Sequence, residues 1–304
     1  MVSFHKQSIY LSIVLLTLLL GVIGWSFPEW MEETQYFFLG ILVLLIGLPH
    51  GATDYLLFRR LHGPKLTRRQ IFKFFFFYLS AVLVYLLAWI WLPVPALFIF
   101  LIISAYHFGQ SNWEYLRLPR GLEVTLNLSW GAFALGGALF WHWEESRMII
   151  TQLVGSLPDW SNADLNIAQW VLLALNVFLI VGLRLSRHIN NRQLFREFIS
   201  LGALSFMFLH TPLLVGFAIY FSLWHSLSAL LTQVAFFRKK WPSFTLVHYY
   251  RQAAPFTLLS VAGLLALVFG QALFFADVSL VSLFFILIAC ITLPHILLVE
   301  ELYK

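Results

Sequence analysis

Charge is scarce in this sequence: Asp, Glu, Lys and Arg make up 11% of 304 residues, against 61% hydrophobic residues and a mean hydropathy of +0.84. A soluble globular chain is excluded, because charged residues there reach about a quarter of the total. The balance is that of a polytopic helical membrane protein, and one transmembrane domain over residues 1–304 is expected. Cysteine is scarcer still. The single Cys290 lies in an apolar run, so there can be no disulfide framework and no cysteine-rich metal site. Any metal must be held by histidine and carboxylate. A small-residue cleavage site is also missing after Ile9–Trp25, where Phe27-Pro28-Glu29-Trp30 follows instead. That stretch is expected to be the first span, not a signal peptide. The net charge of +5 does not indicate a nucleic-acid partner, since Lys and Arg cluster in short loops between apolar runs, where they set topology.

What the chain does have is long hydrophobic runs. With about 20 residues needed to cross the hydrocarbon core, the sequence predicts an all-α bundle of about ten transmembrane helices. These are Ile9–Phe27, Tyr36–Phe58, Ile71–Leu92, Ala96–Leu116, Val124–His142, Ala168–Leu185, Phe198–Leu209, Leu213–Phe237, Pro255–Phe275 and Leu280–Val299. With both termini inside, 18 of the 19 basic residues fall on the inner side and only Arg147 falls outside. Glu29, Glu32, Glu33, Glu144, Glu145, Asp159, Asp164 and Asp277 line the outer loops. Such segregation predicts an N-in/C-in, multi-pass protein of the inner (plasma) membrane.

Ten histidines are present. Six of them (His5, His62, His142, His188, His210, His248) fall in loops, in the tail or at span ends. The other four lie within even-numbered spans, all running from outside to inside: His50, His107, His225 and His295. Their depths differ by about 6 Å at most at 1.5 Å per residue, so four imidazoles share one layer. Around His50, the stretch Gly47-Leu48-Pro49-His50-Gly51-Ala52-Thr53-Asp54 puts two ionisable groups inside a span, where they usually mark a site. Pro49 leaves the Leu45 carbonyl without its helical partner. Asp54, one turn past His50, is the candidate to hold that imidazole in one tautomer. Alone, the stretch fits a kinked helix with a hydrogen-bonded histidine equally well. The layer of four imidazoles favours one mononuclear transition-metal site, Fe, Zn or Cu, over separate core histidines. Aromatics, at 18%, are mostly lipid-facing or interfacial, yet the run Phe72 to Tyr78 and the rings beside the histidines (Tyr106, Phe108, Phe221, Trp224) suit the wall of an apolar tunnel.

With these motifs the chain resembles the Brp/Blh family of bacterial and archaeal membrane β-carotene 15,15′-dioxygenases. The matching segments are Gly47 to Asp54, Ser104-Ala-Tyr-His107-Phe-Gly109, Tyr220-Phe-Ser-Leu-Trp224-His225-Ser226, and Pro294-His295 near the end. The resemblance implies cleavage of the central double bond of β-carotene, drawn from the lipid bilayer, by O2 at a non-haem Fe(2+), giving two retinals. It implies His50, His107 and His225 as catalytic iron ligands and Asp54 as an orienting group. One departure stands out. The family has a second histidine four residues after the one matching His225, and this chain has Ala229. His295 then supplies a fourth ligand, or the site is three-histidine, or the activity is lost or changed. A carotenoid- or retinal-binding accessory protein without catalysis is therefore the alternative. A proton-coupled transporter using the histidines as a relay ranks last, because Asp54 is the only acidic residue well inside the expected spans.

Overall fold

Apolar runs of this length can satisfy their backbone in lipid only as helices or closed barrels. A computed structural model describes residues 2–63, 66–274 and 278–303, and among them the regular elements are all helical, with no strand. Lys65, Asp277 and Lys304, which enter the charge segregation, and Phe275 lie outside the described residues. Eight helices are each long and apolar enough to cross a membrane: Gln7–Ser26, Gln35–His62, Arg68–Trp91, Pro93–Trp113, Asn162–Leu185, Leu213–Arg238, Leu246–Gln271 and Leu280–Glu300. Arg120–Phe140 and Trp143–Val154, bent by 99° at Trp141-His142, make a ninth if they act as one span. Helix Asn191–His210, which contains the expected seventh span, is not in this set. Its first turns hold Arg192, Arg196 and Glu197. Helix Trp143–Val154 is an addition to the sequence reading, because Glu144, Glu145 and Arg147 interrupt its apolar pattern. Large apolar side chains on the spans stand outward, from Trp91 at 71% exposed to Phe269 at 84%, as lipid contact requires.

Two compact units divide the chain. The first comprises Met1–Val43, Ala105–Ser146 and Asp159–His225. Helix Val2–Ser26 packs along Asn191–His210, and small residues let the backbones meet: a Cβ on Gly24 would lie 2.1 Å from the His210 carbonyl oxygen. Arg120–Phe140 packs along Asn162–Leu185, clamped where the amides of Gln169 and Asn176 donate to the Phe133 and Ser129 carbonyls, each at 3.0 Å. Trp130, Phe133, Ile180, Leu204, Met207 and Phe208 are fully buried there. Glu197 is buried as well, and its carboxylate accepts from Arg196 (2.7 Å), Tyr115 (2.9 Å) and Asn112 (3.2 Å). A buried carboxylate supplied with this many donors is a satisfied structural group.

The second unit comprises Leu44–Ser104, Arg147–Pro158 and Ser226–Lys304. Arg68–Trp91 packs on Leu280–Tyr303 through Tyr85, Trp89, Leu283, Ile286, Ala289 and Cys290. A second cluster, Leu56, Leu57, Leu230, Val234, Phe237, Phe244, Tyr249 and Val299, ties Asp54–His62 and Leu227–Arg238 to the start of Leu246–Phe274. Helix Leu48–Gly51, which holds His50, packs on Leu227–Arg238, Leu246–Phe274 and Leu280–Tyr303.

Candidate metal centre

In the second unit the chain approaches His50 through a π-helical turn, Val43–Gly47, followed by the short helix Leu48–Gly51. Such turns arise where the regular hydrogen-bond ladder is interrupted, and they recur at functional sites. Pro49, which has no N–H to donate, follows this turn, and the Leu45 carbonyl accepts from the Tyr250 hydroxyl at 3.0 Å. The next turn is fixed by buried polar groups. Thr53 and Tyr249 hydroxyls both donate to Gln233 Oε1 at 2.8 Å, and Thr53 also lies 3.2 Å from the His50 carbonyl. His50 is 3% exposed, so its imidazole is withdrawn from both lipid and water.

Asp54 does not hold His50. Its Oδ1 accepts from His295 Nδ1 at 2.7 Å, and its Oδ2 accepts from the Tyr78 hydroxyl at 2.9 Å. The helix is broken at Ala52-Thr53, and Asp54 opens a new one, Asp54–His62. The four-residue spacing that aligns side chains on a continuous helix therefore does not apply across this break. The carboxylate is the first-turn acid of its own helix, a favourable position in the helix field. His295, preceded by Pro294 inside Leu280–Tyr303, has its ring centroid 4.8 Å from that of His50, with the planes at 83°. Gly51 faces this ring: a Cβ there would stand 4.0 Å from His295 Nδ1, an ordinary contact.

In the first unit, His107 sits in Pro93–Trp113 between two backbone contacts. A Cβ on Gly109 would lie 1.9 Å from the Asn127 carbonyl oxygen, and one on Gly131 would lie 1.8 Å from that of Ala105. Only glycine permits these helices to cross so closely, and the crossing fixes His107 from both sides. His225 lies in a second π-helical segment, Tyr220–Ser226. Its ring centroid is 4.8 Å from that of His107, at 73°. Phe108 packs on the same imidazole at 4.7 Å, and Phe221 lies parallel to it at 6.1 Å. The neighbouring Trp224 is held by a hydrogen bond to Thr17 at 2.9 Å. Both histidines are buried, at 3% and 4% exposure.

The five sequence-derived candidates thus fall into two groups, His50, Asp54 and His295 in one unit and His107 with His225 in the other. Ala229 follows in Leu227–Arg238. Gln233, Tyr249 and Tyr250 were not singled out from the sequence, although Gln233 is a polar residue within an apolar run, and Thr53 and Tyr78 stand in the sequence reading only as members of longer stretches.

The geometry suits imidazoles sharing an ion. With a metal–nitrogen bond of about 2 Å and a ring radius of about 1.2 Å, two rings on one ion at ligand angles of roughly 90° to 109° place their centroids about 4.5 to 5.2 Å apart. Both pairs stand at 4.8 Å. The donor set is neutral nitrogen with one orienting carboxylate, which suits Fe, Zn or Cu and not Mg or Ca. With its Nδ1 engaged by Asp54, His295 keeps Nε2 as its other ring nitrogen, the kind of outer contact that metal-binding histidines commonly make.

Two curated relatives align over most of this sequence. One, from Halobacterium salinarum, is named probable beta-carotene 15,15′-dioxygenase Blh and is 26% identical over 287 residues, covering 84% of this chain and 81% of its own. The other, beta-carotene 15,15′-dioxygenase from an uncultured marine bacterium, is 25% identical over 277 residues, covering 86% and 92%. No solved structure matches. The family model described as beta-carotene 15,15′-dioxygenase matches residues 41–303, a span that includes both histidine pairs and Asp54, and the chain belongs to that family.

Proposed function

We propose that this protein is a membrane non-haem iron dioxygenase that cleaves the central 15,15′ double bond of β-carotene. His50, His107, His225 and His295 hold the metal and Asp54 orients His295. The observation that supports this most is the pair of buried, right-angled imidazole contacts at 4.8 Å, each within a family-matched segment. Buried histidines at His50, His107 and His225 are a donor set able to hold a metal. Both relatives are named for the same reaction.

In that reaction one O2 and one β-carotene give two retinals, one oxygen atom going to each carbon of the broken bond. A ferrous ion, when bound, supplies the unpaired electrons that let ground-state O2 react with a closed-shell polyene. The residues of the chain do the rest. Imidazoles hold the ion as neutral donors, Asp54 keeps the Nδ1 proton of His295 in place, and rings such as Phe108 and Phe221 exclude water and offer an apolar wall to a substrate that arrives from the bilayer. The enzyme resides in the inner (plasma) membrane.

Expression in a β-carotene-accumulating bacterial host tests the reading. The yellow pigment should fade with equimolar O2 uptake and two retinals per carotene, and unchanged pigment with full expression overturns it. Ala229 favours one second reading, a non-catalytic carotenoid-binding accessory protein. Purified protein that carries intact carotenoid and no metal would decide for that alternative.

A further inference from the structure

Arg68–Trp91 carries an aromatic run, Phe72, Phe74, Phe75, Phe76 and Phe77, closed by Tyr78, the only hydroxyl in the row. Phe74 packs on the Tyr78 ring at 5.6 Å and is itself packed by Phe58 at 4.7 Å and Tyr55 at 5.6 Å. Apolar contacts therefore fix the ring, and phenylalanine would satisfy them equally. The hydroxyl has a separate task. It donates to Asp54 Oδ2 at 2.9 Å, while Asp54 Oδ1 accepts from His295 Nδ1 at 2.7 Å. Asp54 and His295 are 4% and 6% exposed, so the bond between them is withdrawn from solvent, and Tyr78 reaches it from a half-buried position.

A carboxylate with one donor can turn about its terminal torsion, which is broad and two-fold. One whose two oxygens are each held by a donor from a different helix cannot. Tyr78 on Arg68–Trp91 and His295 on Leu280–Tyr303 grip Asp54 in this way. The direction of the Nδ1–H bond is then set, and with it the ring plane and the direction of Nε2.

We propose that Tyr78 is a positioning residue of the metal centre: by pinning Asp54, it fixes the direction from which His295 presents Nε2 to the ion. This rests on the metal-site reading above. The hydroxyl also draws charge from the carboxylate, so Asp54 pulls less strongly on the His295 proton. Loss of the hydroxyl both frees the carboxylate to turn and makes it a stronger acceptor, and both changes alter the ligand field.

The test is Co(II) binding to the metal-free, full-length protein in detergent, read by affinity and by the visible absorption of the bound ion. Wild type binds one Co(II) per chain. Tyr78→Phe binds roughly 10-fold more weakly, at the lower end of the range for partners of metal-bound histidine, with a displaced absorption band. Asp54→Ala weakens binding by about 10- to 100-fold. Adding Tyr78→Phe to Asp54→Ala changes affinity less than about twofold, because the hydroxyl acts through the carboxylate. The inference is overturned if Tyr78→Phe matches wild type in affinity and spectrum, or if its loss persists undiminished without Asp54, the mark of a packing effect. Wild type that binds no Co(II) would overturn the metal centre itself, and the role of Tyr78 with it.

Discussion

Which nitrogen an imidazole offers to a metal is decided by what the other nitrogen touches, and the four buried histidines differ in this respect. His295 has its Nδ1 bound to a carboxylate, Asp54. Its removal should therefore have two effects: a lost ligand, and a buried carboxylate left with Tyr78 as its remaining donor. We expect His295→Ala to lower iron affinity by at least the roughly 10- to 100-fold typical of lost outer partners, and His50→Ala, His107→Ala and His225→Ala to do the same. Adding Ala229→His to His295→Ala should restore part of the iron. Normal iron and activity in His295→Ala would leave a three-histidine site or one completed by another group. His50, His107, His225 and His295 stand out in the sequence as ionisable residues in apolar runs, and all four are buried. The partner of Asp54 was not. A hydrogen bond to a residue 241 positions away leaves no local pattern, and the four-residue spacing to His50 pointed elsewhere because the helix break at Ala52-Thr53 was not foreseen. Tyr78 was hidden by its phenylalanine neighbours.

At the scale of helices, two of the family-matching segments lie on or beside elements that depart from regular α geometry. His50 follows the π-helical turn Val43–Gly47, and His225 lies within the π-helical segment Tyr220–Ser226. An extra residue per turn swings the following side chains around the helix axis and breaks the register that sequence periodicity assumes. Proline announced the first of these departures, and no residue type in Tyr220–Ser226 announced the second. The amphipathic helix Trp143–Val154 also escaped the sequence reading, since charged residues in its first turn disguise it as a loop. Helix Pro93–Trp113, by contrast, was clear from its apolar length, and the glycines that set its crossing can be tested directly. Gly131→Ala places a methyl 1.8 Å from the Ala105 carbonyl oxygen, so the helices must separate. Overpacking of this kind costs about 1–3 kcal/mol, and the thermal midpoint in detergent should fall together with metal affinity, because His107 rides on the same crossing. Gly121→Ala, on the same helix with no atom within 4 Å, should leave both unchanged. Equal behaviour of the two variants would remove the crossing from the account.

For the whole molecule, orientation follows from charge. Arg and Lys cost about 2.5–3.5 kcal/mol each at the centre of a spanning helix, and loops rich in them are retained on the cytoplasmic side. Eighteen of 19 basic residues fall on one side of the expected topology. The described helix ends agree with loops at those positions. Thr67 caps Arg68–Trp91 and Asn190 caps Asn191–His210, each in a reciprocal arrangement with a glutamine three residues on, which satisfies backbone donors where a helix leaves the apolar layer. Arg68 and Arg69 follow the first cap and Arg192 and Arg196 the second, positions that the expected topology puts on the inner side. The acidic loop that contains Asp159 and Asp164 precedes Asn162–Leu185, whose other end carries Arg184. The expected topology puts the acidic start of this helix outside and its basic end inside. In a Cys290→Ala background, a membrane-impermeant thiol reagent on intact cells should therefore label Asp159→Cys and spare Arg69→Cys until the cells are opened. Labelling of Arg69→Cys from outside would invert the topology. Labelling of both positions would break the odd number of crossings between residues 69 and 159, and with it the assignment of His107 and His225 to helices that run from outside to inside.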